Sequence, residues 1–157
     1  MKFLCDEMLG RLGRWLRAAG YDTLIITGSL SDREVMDIAL TQDRWLITRD
    51  RHFLQIKEGK DLVVWLHSNH MDDLALELSE KKDINWMYRP FSRCMLCNGV
   101  LSIAKEKDLF QVPEGVVLRG EEVTFCPACR KSYWQGSHTG RMLEKFKQWD
   151  ELRKNRH

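Results

Sequence analysis

The chain has 157 residues, of which 43% are hydrophobic and 31% are charged, and its formal net charge is +2. This composition excludes a low-complexity chain, and no apolar run approaches the roughly 20 residues that cross a bilayer. Met1 leads into a short apolar run without a signal-peptide pattern, so we expect a cytoplasmic protein with no membrane segment.

The first half of the chain alternates short apolar runs with segments of helical periodicity. Helices are predicted up to Gly20, from the S-x-x-E capping box at Ser31 to about Gln42, and from Met71 to Lys81. A short helix or turn is expected over 51–58. The apolar runs predict four strands, at residues 3–5, 21–26, 45–48 and 62–66. Strands that alternate with helices favour βαβ units, so we predict an α/β domain with a parallel sheet.

Acidic residues follow three of these strands. Asp6 comes directly after the first strand, Asp32 and Glu34 open the helix after the second, and Asp50 follows the third. Carboxyl ends of parallel strands meet at one sheet edge, where ligands bind in open α/β folds. Convergent carboxylates favour Mg²⁺ or Mn²⁺, although Asp32 and Glu34 are also ordinary first-turn helix acids. Thr48 is placed to orient either one of the carboxylates or a bound water.

Basic residues lie close to these acids in the sequence. Arg11, Arg14 and Arg17 are spaced i, i+3, i+6, so we expect them to share one broad helix face. Arg49 and Arg51 flank Asp50. Such cations can contact a phosphate backbone. A solvated helix face with local ion pairs explains any single arginine equally well.

Around residues 83–93, which include Pro90, the periodicity is lost, and we place a domain boundary there. The predicted domains are 1–84 and 91–157. The second domain is expected to hold short strands at 100–103, 116–118 and 122–125, followed by a helix over 140–156. Residues 90–157 contain 12 Lys and Arg against 8 Asp and Glu, so this part is basic.

Four of the five cysteines form two C-x-x-C pairs, Cys94 with Cys97 and Cys126 with Cys129, and 28 residues lie between the two pairs. This spacing is typical of a zinc ribbon, in which four thiolates close the coordination shell, so the zinc is expected to be structural. The remaining Cys5 is expected to be a buried thiol. Tyr133 and Trp134 are either part of a nucleic-acid surface or the core of the small module, and we favour the core.

Three stretches of the chain carry a resemblance to a known family: D-E-M-L-G-R-L-G-R-W-L-R, L-I-T-R-D, and C-M-L-C…F-C-P-A-C-R-K-S-Y-W-Q-G-S-H. Together they resemble the Mut-seven-C RNase family, in which a PIN-like nuclease domain is fused to a C-terminal zinc ribbon. The resemblance implies a three-layer α/β/α fold and a metal-dependent ribonuclease. It assigns the catalytic acids to Asp6, Asp32 and Asp50, with Glu34 as an alternative to Asp32.

The leading hypothesis is therefore a ribonuclease that hydrolyses RNA phosphodiester bonds through a carboxylate-bound Mg²⁺ or Mn²⁺. In this hypothesis Arg11, Arg14 and Arg49 contact the RNA backbone. The alternative is a non-catalytic RNA-binding or adaptor protein that keeps the fold and the structural zinc, because no clear fourth acid follows T-R-D. Phosphoryl chemistry on a small molecule is less favoured, since the chain lacks a glycine-rich phosphate loop.

Overall fold

The structure is a computed structural model that describes residues 1–155. A four-stranded parallel sheet in the order β2-β1-β3-β4 forms the first part of the molecule. Its elements are β1 (Lys2–Cys5), α1 (Gly10–Ala18), β2 (Asp22–Ile25), α2 (Asp32–Thr41), β3 (Trp45–Thr48), β4 (Val63–Trp65) and α3 (Met71–Lys82). The sheet confirms the predicted α/β class, and the capping box at Ser31 begins α2 as expected.

Helices cover both faces of the sheet and make three layers. Successive strand residues point to opposite faces, so Phe3 and Cys5 pack with α1 and α3 while Leu4 packs with α2. Cys5 is fully buried, and burial raises the pKa of its thiol. The expectation of a buried thiol is therefore confirmed.

The segment after α3 is packed into the main core. Trp86 has no exposed surface, and its ring lies 4.8 Å from that of Trp149, centroid to centroid. Trp149 also contacts Trp15 of α1 at 4.9 Å, and its Nε1 donates to Asp72 Oδ1 of α3. Trp149 therefore fastens the C-terminal part of the chain to the first domain.

Trp149 belongs to the last helix, α5 (Ser137–Lys154). This helix begins three residues earlier than predicted. The prediction extended it to Arg156, which lies outside the described residues. Within residues 1–155, no helix is both long and apolar enough to cross a membrane.

The four cysteines lie in a small antiparallel module, which we call the ribbon (residues 93–134). Its elements are β5 (Ser102–Ile103), α4 (Glu114–Leu118), β6 (Val123–Phe125) and β7 (Ser132–Trp134), with strand order β5-β6-β7. The predicted strand at 116–118 is wrong, because these residues form α4. Pro113 precedes this single helical turn and only Val116 is buried, so the short apolar run carries no strand period.

Arg17 joins the ribbon to the first domain. Its side chain is buried and donates to the backbone carbonyls of Thr23 (2.8 Å), Met95 (3.0 Å) and Leu96 (2.8 Å). The assignment of Arg17 to the same exposed face as Arg11 is therefore wrong. Six residues rotate a helix by about 240°, which turns Arg17 away from that face.

Asn98 makes a second connection between the two parts. Its Oδ1 accepts from the Thr23 amide at 3.0 Å, and its Nδ2 donates to Asp22 Oδ1 at 2.8 Å. Both partners lie at the amino end of β2. The ribbon therefore sits at the amino-terminal edge of the sheet, opposite the edge where the predicted acids lie.

Candidate functional site

Asp6 is the most highly connected of the predicted acids. Its Oδ1 accepts from the Leu9 amide at 3.1 Å, and its Oδ2 accepts from Thr48 Oγ1 at 2.6 Å and from the Arg49 amide at 3.3 Å. Thr48 is buried, and its Oγ1 also accepts from the Asp50 amide at 3.0 Å. The expected role of Thr48 in orienting a carboxylate is confirmed, and Thr48 links the ends of β1 and β3.

Asp50 and Asp32 are connected through a residue that the sequence did not indicate. The Asp50 Oδ1 accepts from the His52 amide at 2.8 Å, and His52 Nδ1 lies 3.0 Å from Asp32 Oδ2. Hydrogen bonds therefore run from Asp6 through Thr48, Asp50 and His52 to Asp32. The spacing of Asp50 and His52 matches neither a helical nor a strand contact, so the sequence pattern did not predict this connection. It is formed by the turn that begins at Asp50.

Glu34 has a structural role at the start of its own helix. Its Oε2 accepts from the Ser31 amide at 2.8 Å and from Ser31 Oγ at 2.6 Å, which completes the capping box of α2. These hydrogen bonds lower the pKa of Glu34. The carboxylate is therefore held at the start of its own helix, and Asp32 contacts the neighbouring acids through His52 instead.

Asp6 and Asp50 offer oxygen ligands at the ends of adjacent strands, and Asp32 at the start of α2 is joined to them through His52. Oxygen ligands suit a hard divalent cation. Within residues 1–155, however, the four cysteines form the only group of three or more metal-ligating side chains whose atoms lie within 4.8 Å of one another. Mg²⁺ binds oxygen at about 2.1 Å and keeps several waters, so one or two carboxylates suffice to hold it. The aspartates fit such a partly hydrated ion.

Two of the predicted phosphate-contacting arginines are free to bind a ligand. Arg11 and Arg14 are exposed on α1, and neither has a salt bridge among residues 1–155. Arg49, the third, donates through Nη2 to Asn69 Oδ1 in the loop after β4. Arg49 is therefore fixed beside the acids, while the two helix arginines are solvated.

Trp65 supports the basic residues around Asp50. Its Nε1 donates to the Arg49 carbonyl at 3.1 Å, and the Arg51 guanidinium lies 4.5 Å from its ring centroid. The sequence predicted a strand over 62–66 and gave no sign of this contact of Trp65. The ring holds both arginines at the carboxyl edge of the sheet.

Glu77 of α3 organises the loop that carries Asn69. Its carboxylate accepts from the amides of His67 and Ser68, from Ser68 Oγ at 2.8 Å and from Lys81 Nζ at 2.8 Å. Burial raises the pKa of Glu77, but the hydrogen bonds from Lys81, Ser68 and the two amides outweigh it and lower the pKa to about 2. Glu77 therefore holds the 67–70 loop as a carboxylate.

This pKa predicts how stability depends on pH. Because the folded pKa lies below the ordinary value of 4.5, the stabilisation is complete above pH 4.5 and is lost as pH falls toward 2. We expect Glu77→Gln to lower the free energy of unfolding by roughly 3 kcal/mol at pH 6, with a difference from wild type that shrinks steadily below pH 4.5. Denaturant unfolding between pH 3 and 7 measures this difference in the free energy of unfolding. Glu58→Gln, at an exposed turn, is the control and should change it little. A difference that stays constant over this range contradicts the assignment.

The four cysteines form a second site in the ribbon. Cys94 Sγ lies 3.5 Å from Cys129 Sγ, and Cys97 Sγ lies 3.4 Å from Cys126 Sγ. Four thiolates at 2.3 Å from a tetrahedral zinc are about 3.8 Å apart, so the cluster fits zinc. A Cβ at Gly99 would lie 3.0 Å from Cys126 Sγ, which shows how tightly the chain surrounds the sulfurs.

Both cysteine pairs are built in the same way. The amide four residues after each first cysteine donates back to its carbonyl, from Asn98 to Cys94 at 2.9 Å and from Arg130 to Cys126 at 2.8 Å. Asn98 and Arg130 both have positive φ, at 69° and 63°. These are two matching knuckles, and the predicted zinc ribbon is confirmed as a four-cysteine metal site.

A comparison with protein-family models matches residues 1–146 to the family described as the Mut7-C RNAse domain. The match begins at β1 and ends within α5, so it includes both the acidic edge and the ribbon. Comparisons with curated proteins and with solved structures gave no match.

Proposed function

The chain belongs to the Mut7-C RNase domain family, and from that premise we propose that it is a ribonuclease that depends on Mg²⁺ or Mn²⁺. Family membership supports a nuclease-like function. The metal dependence and the residues that act are our proposal. The observation that carries it is the pair of restrained carboxylates at neighbouring strand ends. Thr48 Oγ1 donates to the Asp6 carboxylate, and the His52 amide donates to that of Asp50.

In this proposal Asp6, Asp32 and Asp50 hold the cation at the carboxyl edge of the sheet. When bound, such an ion activates water and neutralises charge on a phosphodiester. Thr48 fixes the direction of the Asp6 carboxylate, since its hydroxyl donates to Oδ2. His52 restrains Asp32 in the same way through its Nδ1.

The arginines bind the negatively charged substrate. Arg49 lies next to Asp50 and is held by Asn69 and Trp65, so it can contact the phosphate that is cut. Arg11 and Arg14 extend the basic surface along α1 and contact phosphates further along the RNA strand. Phosphate contacts of this kind position a nucleic acid without reading its sequence.

The zinc of the ribbon has a structural role in this proposal. Four thiolates leave no ligand position open for water or substrate. Zinc binding requires reduced cysteines, and a reducing cytoplasm provides them. The ribbon thus supports the first domain and adds surface to it.

One observation favours the alternative of a non-catalytic RNA-binding protein. Among residues 1–155, no three carboxylates approach one another within 4.8 Å. A protein that had lost turnover has no need to gather its acids around a cation. The two functions therefore differ in whether the acidic edge binds a divalent ion.

Titration with Mn²⁺ tests the proposal. The zinc-loaded protein is mixed with Mn²⁺, and the signal of free Mn²⁺ is followed by electron paramagnetic resonance. We expect wild type and Asp37→Asn, a change at an exposed acid on α2, to bind Mn²⁺. Asp6→Asn is expected to bind it at least tenfold more weakly. Equal binding by Asp6→Asn, or no binding by wild type, would favour the alternative.

A further inference from the structure

A cavity of about 470 Å³ lies between the ribbon and the start of α5. This volume falls within the range of about 300–1,000 Å³ that is usual for ligand pockets. Four side chains give the cavity an apolar wall: Met95, Leu96, Tyr133 and Trp134. We call this cavity the ribbon groove. Leu96 is 59% exposed, so its side chain is accessible to a ligand in the groove.

The polar groups of the ribbon groove favour an anion. Lys131 and His138 line it together with four hydroxyl-bearing residues, and no carboxylate of the described chain does. Among residues 1–155, Lys131 has no salt-bridge partner. The groove also adjoins the N-terminus of the 18-residue helix α5, the positive end of its dipole. A negatively charged ligand is therefore complementary to it.

The aromatic residues in the groove differ in what they offer a ligand. The Tyr133 hydroxyl is 3.1 Å from Cys94 Sγ and is thus committed to the metal site. Trp134 is half-buried, and within the described chain its Nε1 has no hydrogen-bond partner. Its ring face can stack on a base, while Nε1, whose hydrogen points along the ring plane, can donate to an oxygen of the adjoining sugar or phosphate. The sequence favoured both residues as core, but they form a wall of the groove.

We propose that the ribbon groove binds one nucleotide of a single-stranded RNA, with the base against Trp134 and Leu96 and the phosphate near Lys131. The groove combines an apolar wall, a cation without a salt bridge and an indole N–H without a partner. This combination matches a base joined to a phosphate better than it matches an apolar peptide. The proposal rests on the proposed function, since it takes RNA as the substrate. It adds a binding site that is separate from the acids.

The groove lies far from the acidic edge. Met95 and Leu96 are held by Arg17 beside the amino end of β2, whereas Asp6 and Asp50 follow the carboxyl ends of their strands. A four-residue strand separates the two edges by about 10–13 Å. An RNA strand that reaches both sites must span at least this distance. Because the groove is separate from the acids, groove variants should raise KM and leave kcat unchanged.

RNA binding measured without Mg²⁺ or Mn²⁺ tests the proposal independently of catalysis. The probe is a fluorescently labelled 12-nucleotide single-stranded RNA, and its anisotropy is measured with the full-length, zinc-loaded protein in buffer stripped of other metals. We expect Lys131→Glu to weaken binding about fivefold and Trp134→Ala about tenfold. Lys107→Glu makes the same charge change on an exposed part of the ribbon and should have little effect. Zinc content and melting temperature show whether each variant is folded. If Trp134→Ala is not folded, Trp134→Phe takes its place.

Each outcome decides the question. If Lys131→Glu and the folded Trp134 variant bind RNA as tightly as Lys107→Glu, the groove is not an RNA site and the proposal is overturned. If only an apolar peptide competes at the groove, a protein partner replaces RNA and the proposal also fails. If both variants lose RNA binding while wild type cuts no RNA, the groove assignment stands and the proposed ribonuclease activity fails.

Discussion

Replacing Asp50 with asparagine is expected to lower the rate of RNA cleavage at least about a hundredfold and to leave the fold intact. Asp50 supplies a carboxylate at the end of β3 and receives a hydrogen bond from the His52 amide. Asparagine keeps that acceptor, because it caps a helical turn as well as aspartate does. It removes the negative charge, and the loss of a few kcal/mol of transition-state stabilisation corresponds to this change in rate.

The matched control for Asp50→Asn is Asp37→Asn. Asp37 is exposed on α2, away from the ends of the strands, and the same change in charge there should leave the rate unchanged. Rates are measured on a single-stranded RNA with Mn²⁺ present and with both proteins at equal zinc content. Undiminished cleavage by folded Asp50→Asn would remove Asp50 from the site.

Replacing Cys126 with serine is expected to abolish zinc binding and to lower the melting temperature of the whole protein. Binding of structural zinc to small domains is worth about 10–16 kcal/mol, far more than a single core contact. The effect reaches the first domain, because Arg17 would lose the carbonyls of Met95 and Leu96 that its buried guanidinium binds. A buried cation without partners is strongly destabilising.

Zinc content and thermal unfolding by tryptophan fluorescence measure this effect. Cys5→Ala removes the fifth cysteine, which lies in β1 outside the metal site, and this control should keep one zinc per chain. Were Cys126→Ser to retain zinc, or to lose zinc and melt as wild type does, the structural role of the ribbon would be contradicted.

The sequence was sufficient to predict the elements with strong local patterns. Residues 45–48 form β3 as predicted, since their apolar run is bounded on both sides by charged residues. The capping box at Ser31 located the start of α2, because the serine and glutamate must lie three residues apart to satisfy each other. The cysteine pairs identified the metal site for a similar reason, since ligand spacing is a local property.

Tertiary contacts decided the features that the sequence did not predict. Arg17 looked like a surface cation, and its burial depends on carbonyls about 80 residues away. The link from His52 to Asp32 joins the turn after β3 to the start of α2, 20 residues away. Glu77 resembled an ordinary helix acid until the loop after β4 placed two amides against it. None of these contacts leaves a periodic signal in the chain.

The most direct test of the central claim is the dependence of RNA cleavage on an added divalent cation. Zinc-loaded wild-type protein in buffer stripped of other metals is mixed with a single-stranded RNA, and Mn²⁺ or Mg²⁺ is then added back. The account predicts no cleavage before the addition and cleavage that rises with the ion concentration and saturates. Cleavage at the same rate without either ion would contradict the proposed role of Asp6, Asp32 and Asp50.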